Sequence, residues 1–337
     1  MRTTRRLSPG TTSLVGLVVL GVAALASVAV GARMLDPVTV LCGLQAVVTG
    51  DPSGEVAAGI VGARLDRTVI GVVVGVAVAL SGTAMQGLTR NPLADPGILG
   101  VNSGAALAVV VGLHLSVVSG VQGYVWLALL GGLVAAAVVY GIASLGPSGP
   151  QPLTMALTGA AVTAGVTSVI AGILVADRGA LETFRFWQVG SVAGRPADLV
   201  WGVLPLLLVS LVIVLASGPV LNATALGEDL ERALGQRVLL ARGVVALGAV
   251  GLAAAAVALA GPVAFVGLVV PHLLRLVVGP DYRRILLGSL FLGPTLVLVT
   301  DTLGRIVLPP TEIQVGIMTA VLGAPALIVL VRRAVLR

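Results

Sequence analysis

The residues that could carry out covalent chemistry are few and widely separated in this chain. The two histidines, His114 and His272, lie far apart and have no cluster of other metal ligands near them, so we expect no metal site. Cys42 is the single cysteine and has no disulfide partner within the chain. No base accompanies the serines and threonines of the apolar stretches, and His272 follows Pro271, a position that favours a structural role. We therefore expect no catalytic residue.

A nucleotide-binding loop is excluded by the choice of basic residues. The chain has 20 basic residues, all of them arginine, whereas the phosphate-binding motif GxxxxGK[ST] requires a lysine that reaches the phosphates. Any ATP and Mg²⁺ must then be bound by a separate chain, and we expect no cofactor in this one. The net charge of +6 could indicate nucleic acid, but aromatic residues are only 3% and no basic patch contains them. Nucleic acid is therefore not an expected partner.

The composition indicates that lipid surrounds most of the chain. Hydrophobic residues make up 57% and charged residues 10%, compared with about 25% charged residues in a typical soluble domain. So few charges cannot cover a water-facing surface of this size, which predicts an all-α polytopic membrane protein.

Apolar stretches of about 20 residues, the length that crosses the hydrocarbon core, predict about ten transmembrane helices. The stretch 263–278 is short and contains Pro271, which predicts a half-span or a kinked helix. Residues 1–32 could also be a signal peptide, but their apolar run is longer than the usual 7–15 residues, which favours a retained span. The predicted spans are 13–32, 68–88, 97–113, 123–145, 152–175, 198–216, 238–259, 263–278, 284–300 and 313–331. The longest breaks between them are 33–67, 176–197, 217–237 and 301–312.

The distribution of arginines predicts the orientation. Ten spans place both termini on one side, and a cytoplasmic position of the termini puts most arginines inside, as the positive-inside rule requires. The arginines on that side are Arg2, Arg5, Arg6, Arg90, Arg232, Arg237, Arg242, Arg275, Arg283, Arg284, Arg332, Arg333 and Arg337. Those outside are Arg33, Arg64, Arg67, Arg178, Arg185, Arg195 and Arg305. Both termini are therefore expected to be cytoplasmic.

The spans lack the charges that drive ion-coupled transport. Residues 96–176 contain no Asp, Glu, Lys or Arg, and the other spans carry such residues only at their ends, as at Asp301. A carrier coupled to protons or ions usually places a charged side chain inside the membrane. The energy for active transport would then come from a partner chain.

Two segments between spans have a clear local pattern. In the segment 82–104, Asp95 before Pro96 predicts a helix N-cap that follows a tight turn. In the segment 221–235, leucines recur at every fourth position and acidic residues come early, which predicts a short amphipathic helix. Its charged face is mostly acidic, so docking into a protein groove fits better than binding to anionic lipid.

Together with two further segments, these residues resemble the FecCD-type permease family, whose members form the membrane subunits of importers for iron–siderophore complexes, haem and vitamin B12. The resemblance covers roughly residues 60–330. The motifs that carry it are Arg64-Leu-Asp-Arg67, the segment 81–105, FWQVGS at 186–191, LGEDLERALG at 226–235, GPVAFVGLVVPHLLR at 261–275 and the stretch 301–316. The family fold has ten spans per subunit, and two subunits surround one central pathway.

The resemblance also implies roles for particular residues. The residues implied to couple to the ATPase are Leu226, Gly227, Glu228, Asp229, Leu230, Arg232, Leu234 and Gly235. Those implied to dock the substrate-binding protein are the exterior arginines Arg64, Arg67 and Arg305, although Asp66 stands where the family commonly has proline. An acid there would weaken attraction of acidic partner residues. Candidates for the translocation pathway or its gates are Gln86, Asn91, Pro92, Asn102, Ser103, Pro271 and His272.

The resulting hypothesis is a single transmembrane permease domain over 1–337, in the cytoplasmic membrane of a bacterium, with coupling helices at about 221–235. It would import ferric siderophores by ATP-driven alternating access. Expected partners are a second permease subunit, identical or homologous, two ABC ATPase subunits, an extracytoplasmic substrate-binding protein and the lipid bilayer. A vitamin B12 or haem importer is the alternative within the family. An ion-coupled secondary transporter is the alternative from another class.

Overall fold

The structure, a computed structural model, describes residues 9–31, 35–49, 55–118, 120–146, 151–226 and 238–335. The regular elements of these residues are all helices, as the sequence predicts. They are α1 (Pro9–Ala29), α2 (Pro37–Thr49), α3 (Glu55–Thr89), a 3-10 helix (Pro96–Leu99), α4 (Val101–His114), α5 (Gly120–Ser144), α6 (Pro152–Ala176), α7 (Arg178–Gln188), α8 (Leu199–Ala216), α9 (Gly218–Ala225), α10 (Val238–Ala260), α11 (Val266–Val278), α12 (Tyr282–Ile306) and α13 (Val315–Val335).

Each of the ten predicted spans falls on a helix. Seven helices of the described residues, namely α1, α3, α5, α6, α8, α10 and α12, are long and apolar enough to cross a bilayer. The remaining spans correspond to shorter apolar helices, among them α4, α11 and α13. The helical membrane architecture is therefore confirmed, while the number of ten spans and the orientation of the termini stay predictions.

The breaks between the predicted spans contain further helical residues. The break 33–67 contains α2 and the first turns of α3, and the break 176–197 contains α7. Helix α3 has 35 residues, about 50 Å at 1.5 Å per residue, so it extends well beyond a hydrocarbon core of about 30 Å. Helix α7 is amphipathic and buries Ala180, Phe184 and Trp187 on one face.

Helix α3 lies at the centre of the bundle and packs along α10, α11 and α12. Two glycines permit its closest contacts. A Cβ atom at Gly75 would lie 2.4 Å from the Cα of Pro294 in α12, and one at Gly82 would lie 2.2 Å from the carbonyl oxygen of Gly267 in α11. Backbones therefore touch at both crossings, as small residues permit between helices in lipid.

The predicted span 97–113 consists of two pieces. The carboxylate of Asp95 accepts a hydrogen bond from the backbone N–H of Gly97 at 2.8 Å, which confirms the predicted N-cap. The 3-10 helix that follows ends at Gly100, whose φ of 75° is left-handed, and α4 begins at the next residue. The break arises because a left-handed residue cannot continue a right-handed helix.

Helix α11 confirms the prediction of a short helix that contains Pro271. It has 13 residues, about 20 Å in length. Residues 261–265 precede it as a non-helical segment in which Gly261 and Phe265 both have positive φ. Non-helical backbone at membrane depth requires protein around it, and Val263 and Val266 are buried here.

Candidate sites at the two ends of the helix bundle

Two arginines and an aspartate from α3 and α12 form a buried ion network at one end of the bundle, which we call the arginine end. The guanidinium of Arg67 donates to both carboxylate oxygens of Asp301, at 2.7 Å and 2.9 Å. Arg305, one helical turn after Asp301, pairs with the same carboxylate. Arg67 also pairs with Glu312 at 2.5 Å. A buried charge is tolerated only when it is paired and hydrogen-bonded, and this network meets that condition.

Arginines of the arginine end also close the C-terminus of α1. The last carbonyls of a helix lack partners within it. Here Arg64 donates to the carbonyl oxygens of Val28 and Ala29, at 3.0 Å and 2.8 Å. Arg305 donates to those of Ser27 and Val30, at 2.6 Å and 3.0 Å. A positive charge at this position also interacts favourably with the helix dipole.

The three arginines predicted to dock a binding protein, Arg64, Arg67 and Arg305, therefore lie together. They line an open cleft of about 450 Å³ with Glu312, which we call the arginine cleft. Their role in docking a binding protein stays a prediction. They are only 7%, 9% and 1% exposed, because intramolecular carboxylates and carbonyls surround them. Asp66 is half-buried, and its effect on docking stays a prediction.

Sequence reasoning missed the acidic partners of these arginines. Asp301 and Arg305 are four residues apart on one helix, a spacing that indicates an ion pair. Arg67 and Asp301 are 234 positions apart, so no local pattern could indicate that they pair.

At the other end of the bundle, Gln86 joins α3 to α11. Pro271 has no N–H, so the carbonyl of Gly267, four residues earlier, loses its helical partner. The side-chain amide of Gln86 donates to this carbonyl at 3.1 Å, and its oxygen accepts a hydrogen bond from Arg275 at 2.9 Å. Gln86 is 1% exposed. Gln86 therefore links α3 to α11 through hydrogen bonds to both Gly267 and Arg275.

His272 lies on the same helix as these two partners of Gln86. Its Nδ1 is 2.8 Å from the carbonyl oxygen of Leu268, which can only accept, so Nδ1 carries the proton. The guanidinium of Arg275 lies 5.7 Å from the ring centroid of Tyr282 and donates to its hydroxyl at 3.2 Å. The structure thus brings Gln86, Pro271 and His272 together, as one set of pathway candidates.

The other pathway candidates lie elsewhere. Asn91 and Pro92 are exposed in the turn after α3, where the side-chain oxygen of Asn91 accepts a hydrogen bond from the N–H of Leu93 at 2.9 Å. Asn102 and Ser103 lie in the first turn of α4, and the hydroxyl of Ser103 is 3.2 Å from that of Thr163 in α6. None of these contacts tests a role in transport.

Hydrogen bonds hold the short helix α9 against α3 and α12 at this second end, which we call the clasp end. The side chain of Asn222 donates to Asp281 at 2.7 Å and accepts from the N–H of Tyr282 at 2.8 Å. Arg90, after α3, donates to the carbonyl oxygen of Thr224 at 2.6 Å. The hydrogen bond from Asn222 is the main cause that holds the pKa of Asp281 below its usual range, and the N–H of residue 283 adds to it.

The clasp end leads directly into the predicted coupling segment. Leu226, immediately after α9, is described and is 62% exposed. The other predicted coupling residues, Gly227 to Gly235, lie outside the described residues. Their role stays a prediction, but the helix that precedes them is firmly attached to α12.

The helices between the two ends contain little that could perform chemistry. Helices α4, α5, α6 and α8 have no Asp, Glu, Lys or Arg side chain. Across the described ranges, no three His, Cys, Asp or Glu residues are close enough together to hold a metal ion. The arrangement suits passage of a solute past an uncharged interior and recognition of partners at the ends.

Comparisons with known proteins agree with this arrangement. The model of the FecCD transport family matches residues 17–333, nearly the whole chain. The chain belongs to the FecCD transport family. It is 41% identical over 270 residues to the "Probable siderophore transport system permease protein YfiZ" of Bacillus subtilis, an alignment that covers 80% of this chain and 81% of the relative.

Other family members are similar at comparable levels. The ferric enterobactin transport system permease protein FepD of Escherichia coli is 39% identical over 271 residues, or 80% of this chain and 81% of FepD. Further relatives are named for cobalamin import and hemin transport. A solved structure described as an inward-facing conformation of a metal-chelate type ABC transporter has a TM-score of 0.82 at 27% identity and covers 96% of this chain and 99% of its own.

Proposed function

We propose that the chain is the membrane-spanning permease subunit of a binding-protein-dependent ABC importer for ferric siderophores. The family match over nearly the whole chain carries this proposal. The siderophore and enterobactin systems named for two of its most similar relatives favour an iron chelate as cargo. The chain would lie in the cytoplasmic membrane of a bacterium as a multi-pass protein with both termini inside.

In this proposal the arginine end faces outward and receives the substrate-binding protein. Three arginines and Glu312 line one open cleft there, and the buried Asp301 pairs with Arg67 and Arg305. Carboxylates of a binding protein would compete with Asp301 and Glu312 for the same guanidinium groups. Such exchange of ion pairs orients a partner and adds less to affinity than to specificity.

The clasp end then faces the cytoplasm and meets the ATPase through residues 226–235. Since Asn222 and Thr224 tie α9 to α12 and to the end of α3, a displacement of the coupling segment would be passed to the central helix. Two ATPase subunits would bind ATP and Mg²⁺, and a second permease subunit would complete the pathway. The two permeases would then rock between outward-open and inward-open states.

A cobalamin or haem importer remains the second candidate, because relatives named for cobalamin and hemin are also similar to the chain. The interior without charges is compatible with any large, rigid chelate.

Uptake in cells tests the proposal. A strain in which this gene is deleted is supplied with ⁵⁵Fe bound to a panel of siderophores, and with labelled cobalamin and haem. Loss of uptake of one ferric siderophore, restored by the wild-type gene, is the expected result. Loss confined to cobalamin or haem would assign the chain to the second candidate, and undiminished uptake of every compound would reject an import function.

A further inference from the structure

A second cleft lies next to the arginine cleft and is built differently. It has a volume of about 430 Å³ and lies between α4, α5, α7 and the segment 189–195. We call it the aromatic cleft. The residues that matter for its chemistry are Tyr124, Phe186, Trp187, Ser191, Arg195 and Gln314. Gly194 lines both clefts, so the two are neighbours at the arginine end.

Three side chains of the aromatic cleft contain buried polar atoms without hydrogen-bond partners in the part of the chain that the structure describes. They are Nε1 of Trp187, Nη1 of Arg195 and Oε1 of Gln314. Buried polar groups in native proteins are almost always paired, so each exception needs an explanation. Two of them, Nε1 of Trp187 and Nη1 of Arg195, are donors that line a single cleft, which favours a ligand that supplies acceptor oxygens to both. Oε1 of Gln314 is itself an acceptor, so such oxygens do not pair with it.

The two donors are held firmly. Trp187 is 5% exposed and its ring stacks on that of Phe184 with centroids 5.8 Å apart. The Nε of Arg195 donates to the carbonyl oxygen of Ser191 at 3.2 Å, which fixes the guanidinium and leaves Nη1 available. Burial lowers the pKa of Arg195 to about 10, so the group is still charged at neutral pH.

The chemistry of the cleft defines its ligand. A guanidinium and an indole N–H both recognise acceptor oxygens, and the guanidinium favours those that carry negative charge. The side chains of Tyr124, Phe186 and Trp187 line the cleft and give it aromatic surface. The volume of about 430 Å³ lies in the lower part of the range for small-molecule sites, which suits one chelating arm of a larger ligand.

We propose that the aromatic cleft receives the iron chelate as it leaves the binding protein, and holds an anionic, oxygen-rich chelating group through Trp187 Nε1 and Arg195 Nη1. This inference rests on the proposed function and extends it to particular residues. The neighbouring arginine cleft is the docking point in that proposal, so the chelate would travel only past Gly194 to reach these donors.

Equilibrium binding tests the inference on the permease assembled with its ATPase in phosphatidylcholine nanodiscs. The probes are ⁵⁵Fe³⁺ complexes of catechol, acetohydroxamate and citrate. For the probe that binds the wild type most tightly, Trp187→Phe and Arg195→Gln are each expected to raise the Kd about ten-fold, or ~1.4 kcal/mol. The matched controls are Trp201→Phe, an indole that is 73% exposed on α8, and Arg178→Gln, an exposed arginine at the start of α7. Both should leave the Kd unchanged.

Several outcomes would overturn the subsite. The first is an unchanged Kd in both cleft variants, and the second is failure of all three probes to bind the wild type. The third is loss of probe binding in nanodiscs made of anionic phosphatidylglycerol, which would assign the cleft to a lipid headgroup. If either variant fails to fold, Arg195→Lys decides, because it keeps the charge but not Nη1: weaker binding supports the subsite and wild-type affinity rejects it. If the wild type takes up a ferric chelate and both cleft variants keep the wild-type Kd, only the subsite is rejected. If the wild type takes up no ferric chelate, the proposed function is rejected.

Discussion

Gln86 supplies hydrogen bonds that the backbone of α11 cannot make for itself. Its amide pairs with the carbonyl of Gly267, which Pro271 leaves without a partner, and with Arg275. We predict that Gln86→Leu lowers the free energy of unfolding by about 1–3 kcal/mol, because the carbonyl of Gly267 would lose its side-chain partner and Arg275 would keep only its hydrogen bond to Tyr282. Thermal unfolding of the purified permease measures the change, with Gln45→Leu, at an exposed position of α2, as the control.

The same variant distinguishes a structural role of Gln86 from a role in the translocation pathway. If Gln86 has a structural role, the variant has lower thermal stability, while each folded molecule transports at close to the wild-type rate. A Gln86→Leu protein with wild-type thermal stability and abolished transport would instead place Gln86 in the translocation pathway, as the sequence suggested.

Asp281 provides a pH-dependent contact at the clasp end. Its pKa in the folded protein is lowered, first by the hydrogen bond from Asn222, so the folded state binds this proton less readily than the unfolded chain. The contact therefore contributes stability above the unfolded pKa of about 3.9, and this contribution is lost as the pH falls through the lower, folded pKa. We predict that Asp281→Asn reduces the loss of thermal stability on acidification from pH 7.

Asp198→Asn is the control for this experiment, because Asp198 is exposed and makes no side-chain cap hydrogen bond at the start of α8. Identical acid-stability curves for the wild type and Asp281→Asn would show that the Asn222 contact does not contribute.

At the scale of the helices, the crossing of α3 and α11 depends on the absence of a side chain at Gly82. A Cβ atom there would lie 2.2 Å from the carbonyl oxygen of Gly267, so the two backbones would have to separate. We predict that Gly82→Ala strongly reduces the yield of folded protein in size-exclusion chromatography. The control is Gly59→Ala on the same helix, where no atom lies within 4 Å of an added Cβ atom.

Gly59→Ala should be neutral or stabilise the protein by up to about 1 kcal/mol, because alanine has the higher helix propensity. Equal yields and equal thermal stabilities of the two variants would contradict the close crossing.

The long apolar helices could be predicted from sequence because hydropathy and length alone decide them. The helices α2 and α7 could not. Helix α2 has 13 residues, too few to span, and α7 alternates charged and apolar residues so that its average hydropathy is low. The break at Gly100 was also missed, since a glycine in an apolar run is equally compatible with close packing and with a left-handed turn.

Less of the candidate sites could be predicted. The family resemblance pointed to Arg64, Arg67 and Arg305 as docking residues, and in the structure all three line one cleft. Their burial could not be foreseen, because it depends on Asp301 and on the carbonyls at the end of α1, which lie far from α3 in sequence. The aromatic cleft likewise combines segments from four parts of the chain.

In the whole molecule, the proposed import function requires that an ATPase engages the segment that follows α9. We predict that reversal of both acidic charges, Glu228→Lys with Asp229→Lys, reduces co-purification of the ATPase. The charged face of the predicted helix would then be basic and would no longer complement the groove of the ATPase. Glu182→Lys, an exposed acid in α7 near the arginine end, should have no effect. An intact complex and unchanged transport in the double variant would reject the coupling role of 226–235.

Reconstitution of the purified components tests whether the chain takes part in ATP-driven import. The permease, its ATPase and its binding protein are placed in proteoliposomes, and ⁵⁵Fe uptake is followed for a panel of ferric siderophores with ATP, without ATP and without the binding protein. We predict accumulation of one chelate only when ATP and the binding protein are both present. ATP-independent accumulation driven by an ion gradient, or no accumulation of any ferric siderophore by the assembled complex, would contradict it.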